Sequence, residues 1–352
     1  FDKAKLLTKA LKMKKMIAKV DTDNMLAKLL GFPQQCRQAY SFSDKTKTIE
    51  KPSKIIFCGM GGSAIGGDVI KAICENTSSI PVFVNREYFL PLWADETTLV
   101  IIVSYSGNTE ETISAFEGGI NSNCKILCIS SNGKIETLTY KYNIPFIKIP
   151  AGYPPRCAFG YLLFPCYKIL TNLKIVSSLP SDIFDMIDKW TAGFSPEIED
   201  NLALMIAQKI HNKIPLLYSE NSLFPATLRW KTQLAENSKS FSFANILPEM
   251  NHNEIMAWRY PEWFIKKTVP IFIESGREHP RTKVRIEITK EIISGVQPGI
   301  ITINAEGNSL IANLLYLVIL GDWVSFYLAV LNSVNPTEIN EINLLKQQMG
   351  DK

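Results

Sequence analysis

Two hydrophobic patterns take turns along this chain. Short apolar runs without polar alternation occur in KIIFCGM (54–60), IPVFVN (80–85), LVIIVSYS (99–106), CKILCISS (124–131) and IPFIKIP (144–150). Runs of this kind predict strands buried on both faces of a parallel sheet. After Ser63, after Thr109 and around Ile135 to Tyr142 the apolar residues fall instead at helical spacing. The same alternation returns in IPLLYSE (214–220), FSFANIL (241–247), VPIFIES (269–275) and GIITINAE (299–306). Helices are predicted over Asp182–Phe194, Pro196–Ile210, Pro225–Lys239, His252–Trp258, Thr282–Ser294, Ser309–Leu331 and Thr337–Met349, with Pro336 at the start of the last. Strands alternating with helices predict an α/β fold of two lobes, each a parallel sheet flanked by helices.

Composition shifts mark the boundaries. Residues 1–48 read as a helical segment that Gly31 and Pro33 interrupt, and residues 49–150 as the first lobe. Residues 151–180, opening with the rigid turn Gly152-Tyr153-Pro154-Pro155, read as a crossing between lobes, and 181–352 as the second lobe with a C-terminal helix. The halves share an architecture but no motif.

With 352 residues, the chain exceeds what one hydrophobic core usually serves. Its 46% hydrophobic and 20% charged residues fit a globular protein, and a net charge of +4 with interspersed signs argues against a nucleic-acid surface. The lysine-rich start, FDKAKLLTKALKMKKM, reads as a solvated helix face and lacks the apolar centre of a signal peptide. Seven cysteines without a CxxC pair point to free thiols in a reducing cytoplasm. His211, His252 and His279 are too dispersed for a sequence-local metal site, so no metal is expected. Ser309–Leu331 is long and apolar enough to span a membrane, but Gly321, Asp322 and Ser325 fall in its middle. A buried central helix, and no membrane partner, is the better reading.

The chemistry gathers at two strand-to-helix turns. KIIFCGMGGSAIGGD places Gly59, Gly61, Gly62 and Ser63 after one strand, and LVIIVSYSGNTEET places Ser104, Ser106, Gly107 and Thr109 after the strand expected beside it. Glycines allow close backbone approach, hydroxyls add hydrogen-bond partners, and each following helix presents N–H groups to an anion. Side by side at the carboxyl edge of a sheet, such turns would hold a phosphate. Gly59, Gly61 and Ala64 can also be fitted to a dinucleotide pattern, although Asn85 and Arg86 stand where its acid belongs. No Lys-Ser/Thr pair closes a Walker loop. Glu236 in RWKTQLAENSK is a plausible general base and His252 in PEMNHNE a plausible proton carrier, but neither is singled out by spacing.

GMGGSAIGGD, SYSGNTEET, the Pro-Arg of GYPPRCAFGY, RWKTQLAENSK, PEMNHNE and GDWVSFYLAVLNSVNPTEINEINLLK occur in one order over most of the chain. In that set the chain resembles the bifunctional phosphoglucose/phosphomannose isomerases, sugar isomerase (SIS) domain proteins of the phosphoglucose isomerase superfamily. The resemblance implies two SIS-type lobes of flavodoxin-like three-layer build. It implies interconversion of glucose 6-phosphate, and of mannose 6-phosphate, with fructose 6-phosphate, without a cofactor. It places Gly61, Gly62, Ser63, Ser104, Ser106 and Thr109 at the substrate's phosphate. It makes Glu236 the base that moves a proton between C1 and C2, through a cis-enediolate stabilised by Arg156. It assigns ring opening to His252, donated by the neighbouring subunit of a homodimer, with Lys346 at the ring oxygen and Thr337 near C2 and C3, in a site between the lobes. Asn335 and Ala257 stand where the family pattern has an acid and a glycine. A sugar-phosphate sensor without turnover is the alternative from another class.

Overall fold

The computed structural model describes residues 12–42, 49–198 and 201–350. The strands there form two sheets. β1 (Lys54–Cys58), β2 (Val82–Asn85), β3 (Thr98–Val103), β4 (Lys125–Ser130) and β5 (Phe146–Lys148) lie in the order β2-β1-β3-β4-β5. β6 (Ile214–Glu220), β7 (Phe243–Leu247), β8 (Thr268–Glu274) and β9 (Ile301–Asn304) lie in the order β7-β6-β8-β9. All the pairings are parallel. The α/β reading of two helix-flanked parallel sheets holds.

The chain divides into two compact units. The first comprises Gly31–Asp188 and Gly307–Leu315, and the second Phe1–Leu30, Lys189–Glu306 and Tyr316–Lys352. The 1–48 segment is therefore divided between units at Leu30 and Gly31. The expected 151–180 crossing lies wholly in the first unit, because its helix Phe159–Asn172 is apolar enough to pack on the helices Phe32–Tyr40 and Gly62–Thr77.

In the first unit the period-two geometry of strands sorts the side chains. Ile56, Cys58, Val100, Ile102, Ile126 and Cys128 share one core with Ala115 and Phe116 of the helix Glu110–Asn121 and Ile135 and Leu138 of the helix Gly133–Tyr142. The opposite parity carries Phe57, whose ring fills the space that a side chain on Gly67 of the helix Gly62–Thr77 would occupy. Helices thus cover both faces. In the second unit Leu216, Tyr218 and Phe272 meet Ile286 and Ile293 of the helix Pro280–Ser294, while Thr227 of the helix Phe224–Ser238 donates to Ser219 on the other face at 2.7 Å.

Three predicted helices differ from those observed. His252–Trp258 is not one helix: short 3-10 turns run over Glu249–His252 and Glu254–Ala257, separated at Asn253, whose side chain accepts from the Glu254 N–H at 2.6 Å. The last helix begins at Asn340, not Thr337, because the Asn335 side chain accepts the Thr337 N–H at 2.8 Å and closes a turn there. The helix expected from Pro196 begins at Leu202, capped by Asn201, which accepts the Leu204 N–H at 3.2 Å. The basic stretch at the N-terminus lies outside the described residues up to 11, and residues 12–20 are helical.

Leu310–Leu331 is one helix, long and apolar enough to cross a membrane, yet 94% of that window is buried inside the protein. Polar groups key it to the helix Phe224–Ser238. Trp230 Nε1 donates to the Leu317 carbonyl at 2.7 Å, Arg229 makes a two-point pair with Asp322 at 2.9 and 2.8 Å, Gln233 donates to the same carboxylate at 2.8 Å, and Asn237 donates to Ser325 at 2.9 Å. Gly321 makes this approach possible, since a Cβ there would lie 2.3 Å from Trp230 Nε1. Burial pushes the Asp322 carboxyl upward, opposed by the Arg229 guanidinium. The seven cysteines are free, and all but Cys124 are buried.

Candidate functional site

The chain leaves β1 and β3 in opposite directions across the first sheet, so their carboxyl ends form its switch point, where folds of this kind bind ligands. Cys58 pairs with Ile102 in register, which brings the two following loops level. They touch: a Cβ on Gly59 would sit 3.0 Å from the Val103 carbonyl oxygen and 3.1 Å from the Ser63 backbone. The edge therefore brings together Gly61, Gly62, Ser63, Ser104, Ser106 and Thr109. Ser63 and Ser104 are buried, Ser106 is exposed, and Ser104 donates to Thr109 Oγ1 at 3.3 Å. The helix Gly62–Thr77 has no acid in its first turn, which suits an anion at its N-terminus. The helix Glu110–Asn121 opens on two glutamates, of which Glu110 accepts from the Tyr88 hydroxyl at 3.2 Å.

The second loop is braced by one that follows β4. Gly107 has φ +70°, and a Cβ on it would lie 1.7 Å from the Asn132 carbonyl oxygen, so only glycine fits. Ser131 donates to the Tyr105 carbonyl at 2.6 Å, and Asn108 accepts from the Lys134 N–H at 2.9 Å. Tyr105 carries the brace onward: its hydroxyl donates to the Pro150 carbonyl at 3.0 Å and accepts the Tyr153 N–H at 2.8 Å. Beyond that contact lies the 3-10 turn Pro155–Cys157, which holds the buried Arg156. A Cβ on Gly62 would stand 3.3 Å from Arg156 Cα, so the first loop and the arginine turn are in close contact. Arg156 thus joins the six loop residues at one edge of one unit. Sequence reasoning misses Tyr105 and Asn132, although the Ser131-Asn132-Gly133 that follows β4 is the kind of small and polar cluster that marks a strand-end loop.

In the second unit Glu236 sits partly buried near the end of the helix Phe224–Ser238, which the polar contacts to Leu310–Leu331 fix in rotation. Lys239 follows with φ +54°, and its ammonium donates to the carbonyls of Glu236, Asn335 and Glu338 at 2.8 Å each. That one cation gathers the glutamate's backbone to the segment carrying Thr337. His252 and Lys346 are not drawn in within the chain: both are exposed, and the helix Asn340–Gly350 that carries Lys346 buries no residue.

The carboxyl edge of the second sheet has a different lining. Glu220 ends β6 and accepts from Ser222 at 2.6 Å, while Glu278, after β8, accepts from the N–H groups of Ser275 and Gly276 and from the Ser275 hydroxyl. Burial pushes the Glu220 carboxyl upward, and Glu278 adds to the shift. A cavity of about 350 Å³ lies elsewhere in this unit, walled by Tyr218, Phe243, Trp258 and Phe264, with Glu254 held by Tyr218 and Asn245 at 2.6 Å each. None of the expected site residues lines it.

Two family models match the chain: the SIS domain over residues 48–141 and the bacterial phospho-glucose isomerase C-terminal SIS domain over residues 199–349. A bifunctional phosphoglucose/phosphomannose isomerase of Caldicellulosiruptor bescii is 34% identical over 336 residues, covering 93% of this chain and 99% of that protein. A protein of the same name from Aquifex aeolicus is 37% identical over 313 residues, covering 88% of this chain and 94% of its own. Among solved structures, a hypothetical protein from Thermus thermophilus superposes with a TM-score of 0.75 at 15% identity, covering 99% of this chain and 94% of that one, a likeness of fold alone.

Proposed function

The chain belongs to the family of bifunctional phosphoglucose/phosphomannose isomerases, and from that premise we propose that it interconverts glucose 6-phosphate and mannose 6-phosphate with fructose 6-phosphate in the cytoplasm. The observation that carries the reading is the paired edge of β1 and β3, where Ser63, Ser104, Ser106 and Thr109 gather beside Arg156. This edge takes the substrate's phosphate. Holding the remote anion supplies orientation, and binding energy realised there steadies the reacting carbons.

Glu236 is the base. It removes the C2 proton of the open-chain aldose, leaving a cis-enediolate, and, as the hydroxyl proton passes from O2 to O1, returns a proton to C1 to give the ketose. Arg156 sets a fixed positive charge against the oxyanion that develops in this step. His252 passes the proton that opens the ring, with Lys346 at the ring oxygen and Thr337 against the hydroxyls at C2 and C3. His252 acts in a homodimer from the neighbouring subunit, and its exposure in the single chain supports that assignment.

A coupled assay with both aldose phosphates tests the reading. Glu236→Gln should lower kcat by about 10²- to 10⁴-fold while fructose 6-phosphate still stabilises the variant thermally. Unchanged turnover in that variant removes the base. Binding without turnover in the wild type makes the protein a sensor instead.

A further inference from the structure

Gln35 lies on the helix Phe32–Tyr40, is 2% exposed, and is spent on a distant piece of backbone. Its side-chain amide donates to the Cys157 carbonyl at 2.9 Å, and its amide oxygen accepts the Gly160 N–H at 2.7 Å. These two groups straddle a joint. Cys157 ends the 3-10 turn that carries Arg156, and Gly160 belongs to the first turn of Phe159–Asn172, where an N–H has no partner inside the helix. Ala158 links them with φ −99° and ψ 16°, outside helical geometry. The fit is tight, since a Cβ on Gly160 would be 2.8 Å from the Gln35 oxygen. On its other side the same turn meets Gly62, where a Cβ would stand 3.4 Å from the Pro155 carbonyl and 3.3 Å from Arg156 Cα.

We infer that Gln35 is a positioning residue for Arg156: its amide, working in both directions, holds the arginine turn against the first loop, and turnover depends on those two hydrogen bonds rather than on the side chain's bulk. The inference rests on the reading that Arg156 stabilises the enediolate. A hydrophobic side chain of the same size would fill the space equally well, but it would remove both hydrogen bonds and loosen the joint between them. A fixed charge acts on a developing oxyanion only from its place, and a misplacement of about 1 Å can cost about 10²-fold in rate. Phosphate binding draws on the loops after β1 and β3, so it should be spared.

The test uses the full chain in the coupled assay with fructose 6-phosphate, beside thermal melts, for Gln35→Met, Gln35→Glu, Arg156→Ala and the double variant Gln35→Met with Arg156→Ala. Gln35→Met keeps the volume and loses both hydrogen bonds. Gln35→Glu keeps an acceptor for Gly160 and, when ionised, sets a carboxylate oxygen against the Cys157 carbonyl, so it serves if Gln35→Met does not fold, and its kcat loss should grow as pH rises through the carboxyl's titration. Expected is a fall in kcat of about 10- to 100-fold in both, with KM changed less than about twofold, and no further loss when Gln35→Met is added to Arg156→Ala. A melting loss that adds to that of Arg156→Ala while the kcat losses do not add separates positioning from mere packing. Wild-type kcat in the folded Gln35 variants, a rise in KM alone, or kcat losses that multiply in the double variant would overturn the inference and leave the proposed function standing. An Arg156→Ala protein as fast as wild type, or a wild type without isomerase activity, would overturn that reading and this inference with it.

Discussion

The carboxyl edges of the two sheets share a topology and differ in lining. In each, two adjacent inner strands lead into loops at a switch point, β1 with β3 in one and β6 with β8 in the other. The first pair opens into Gly59–Ser63 and Ser104–Thr109, which contain no carboxylate. The second pair opens beside Glu220, which accepts from the Ser222 hydroxyl, and Glu278, which caps the backbone of its own loop. An anion suits the first edge and is repelled at the second. The sheet supplies the place, and a handful of loop residues decides what can occupy it.

The sharpest way to break the comparison is a matched pair of glycines. Gly107 (φ +70°) and Gly276 (φ +74°) occupy corresponding loops after β3 and β8, but a Cβ meets the Asn132 carbonyl oxygen at 1.7 Å in the first and nothing within 4 Å in the second. Gly107→Ala should lose about 3 kcal/mol of stability or more and at least about 10²-fold in kcat/KM, whereas Gly276→Ala should lose only about 1 kcal/mol, the strain of a left-handed alanine, at unchanged kcat/KM. Denaturant melts and the coupled assay decide it, and equal losses at both positions would erase the distinction between the edges.

A smaller effect is expected from single side chains. Ser63→Ala and Ser106→Ala should each raise KM for fructose 6-phosphate about 10-fold, the worth of a hydrogen bond to a charged group, while Glu278→Gln should leave KM within about twofold. A KM that responds to Glu278 and not to the serines would move the anion to the other sheet.

Much of this was readable in advance, for a physical reason. The inner strands were the most legible because parallel strands buried on both faces are continuous apolar runs, as in TLVIIV of β3 and TVPIFIE of β8, where every residue is buried. The hydroxyl loops were legible because a packed turn has no use for Ser104, Ser106 and Thr109 together. What could not be read were side chains bonding to distant or local backbone: Asn335 closing a turn where Pro336 suggested a helix start, Asn253 dividing one expected helix into two turns, and Gln35 reaching residues more than 120 positions away. Polar residues of this kind look alike in a sequence whether they face water or hold a joint.

The smallest effect is a matter of pH. Burial raises the Glu220 carboxyl above its ordinary value of 4.5, so the folded chain keeps that proton to a higher pH than the unfolded chain does. Its contribution is complete below the unfolded value and is lost as pH rises through the folded one. Glu220→Gln should therefore melt higher than wild type by more at about pH 7 than at about pH 4. A gap that does not change with pH would show this edge to be as well solvated as open water.

Gly321 and Trp230 carry a consequence for how such a chain can vary. The missing carbon at 321 is a socket, and the indole across from it is the plug, its N–H seated on the Leu317 carbonyl. Any drift that enlarges position 321 must be answered by a smaller ring at 230, so the two are expected to change in tandem or not at all. A segment whose hydropathy invites exchange into lipid is thereby tethered to one neighbour, since leaving would break the bonds it makes with an indole, a guanidinium and two amides at once.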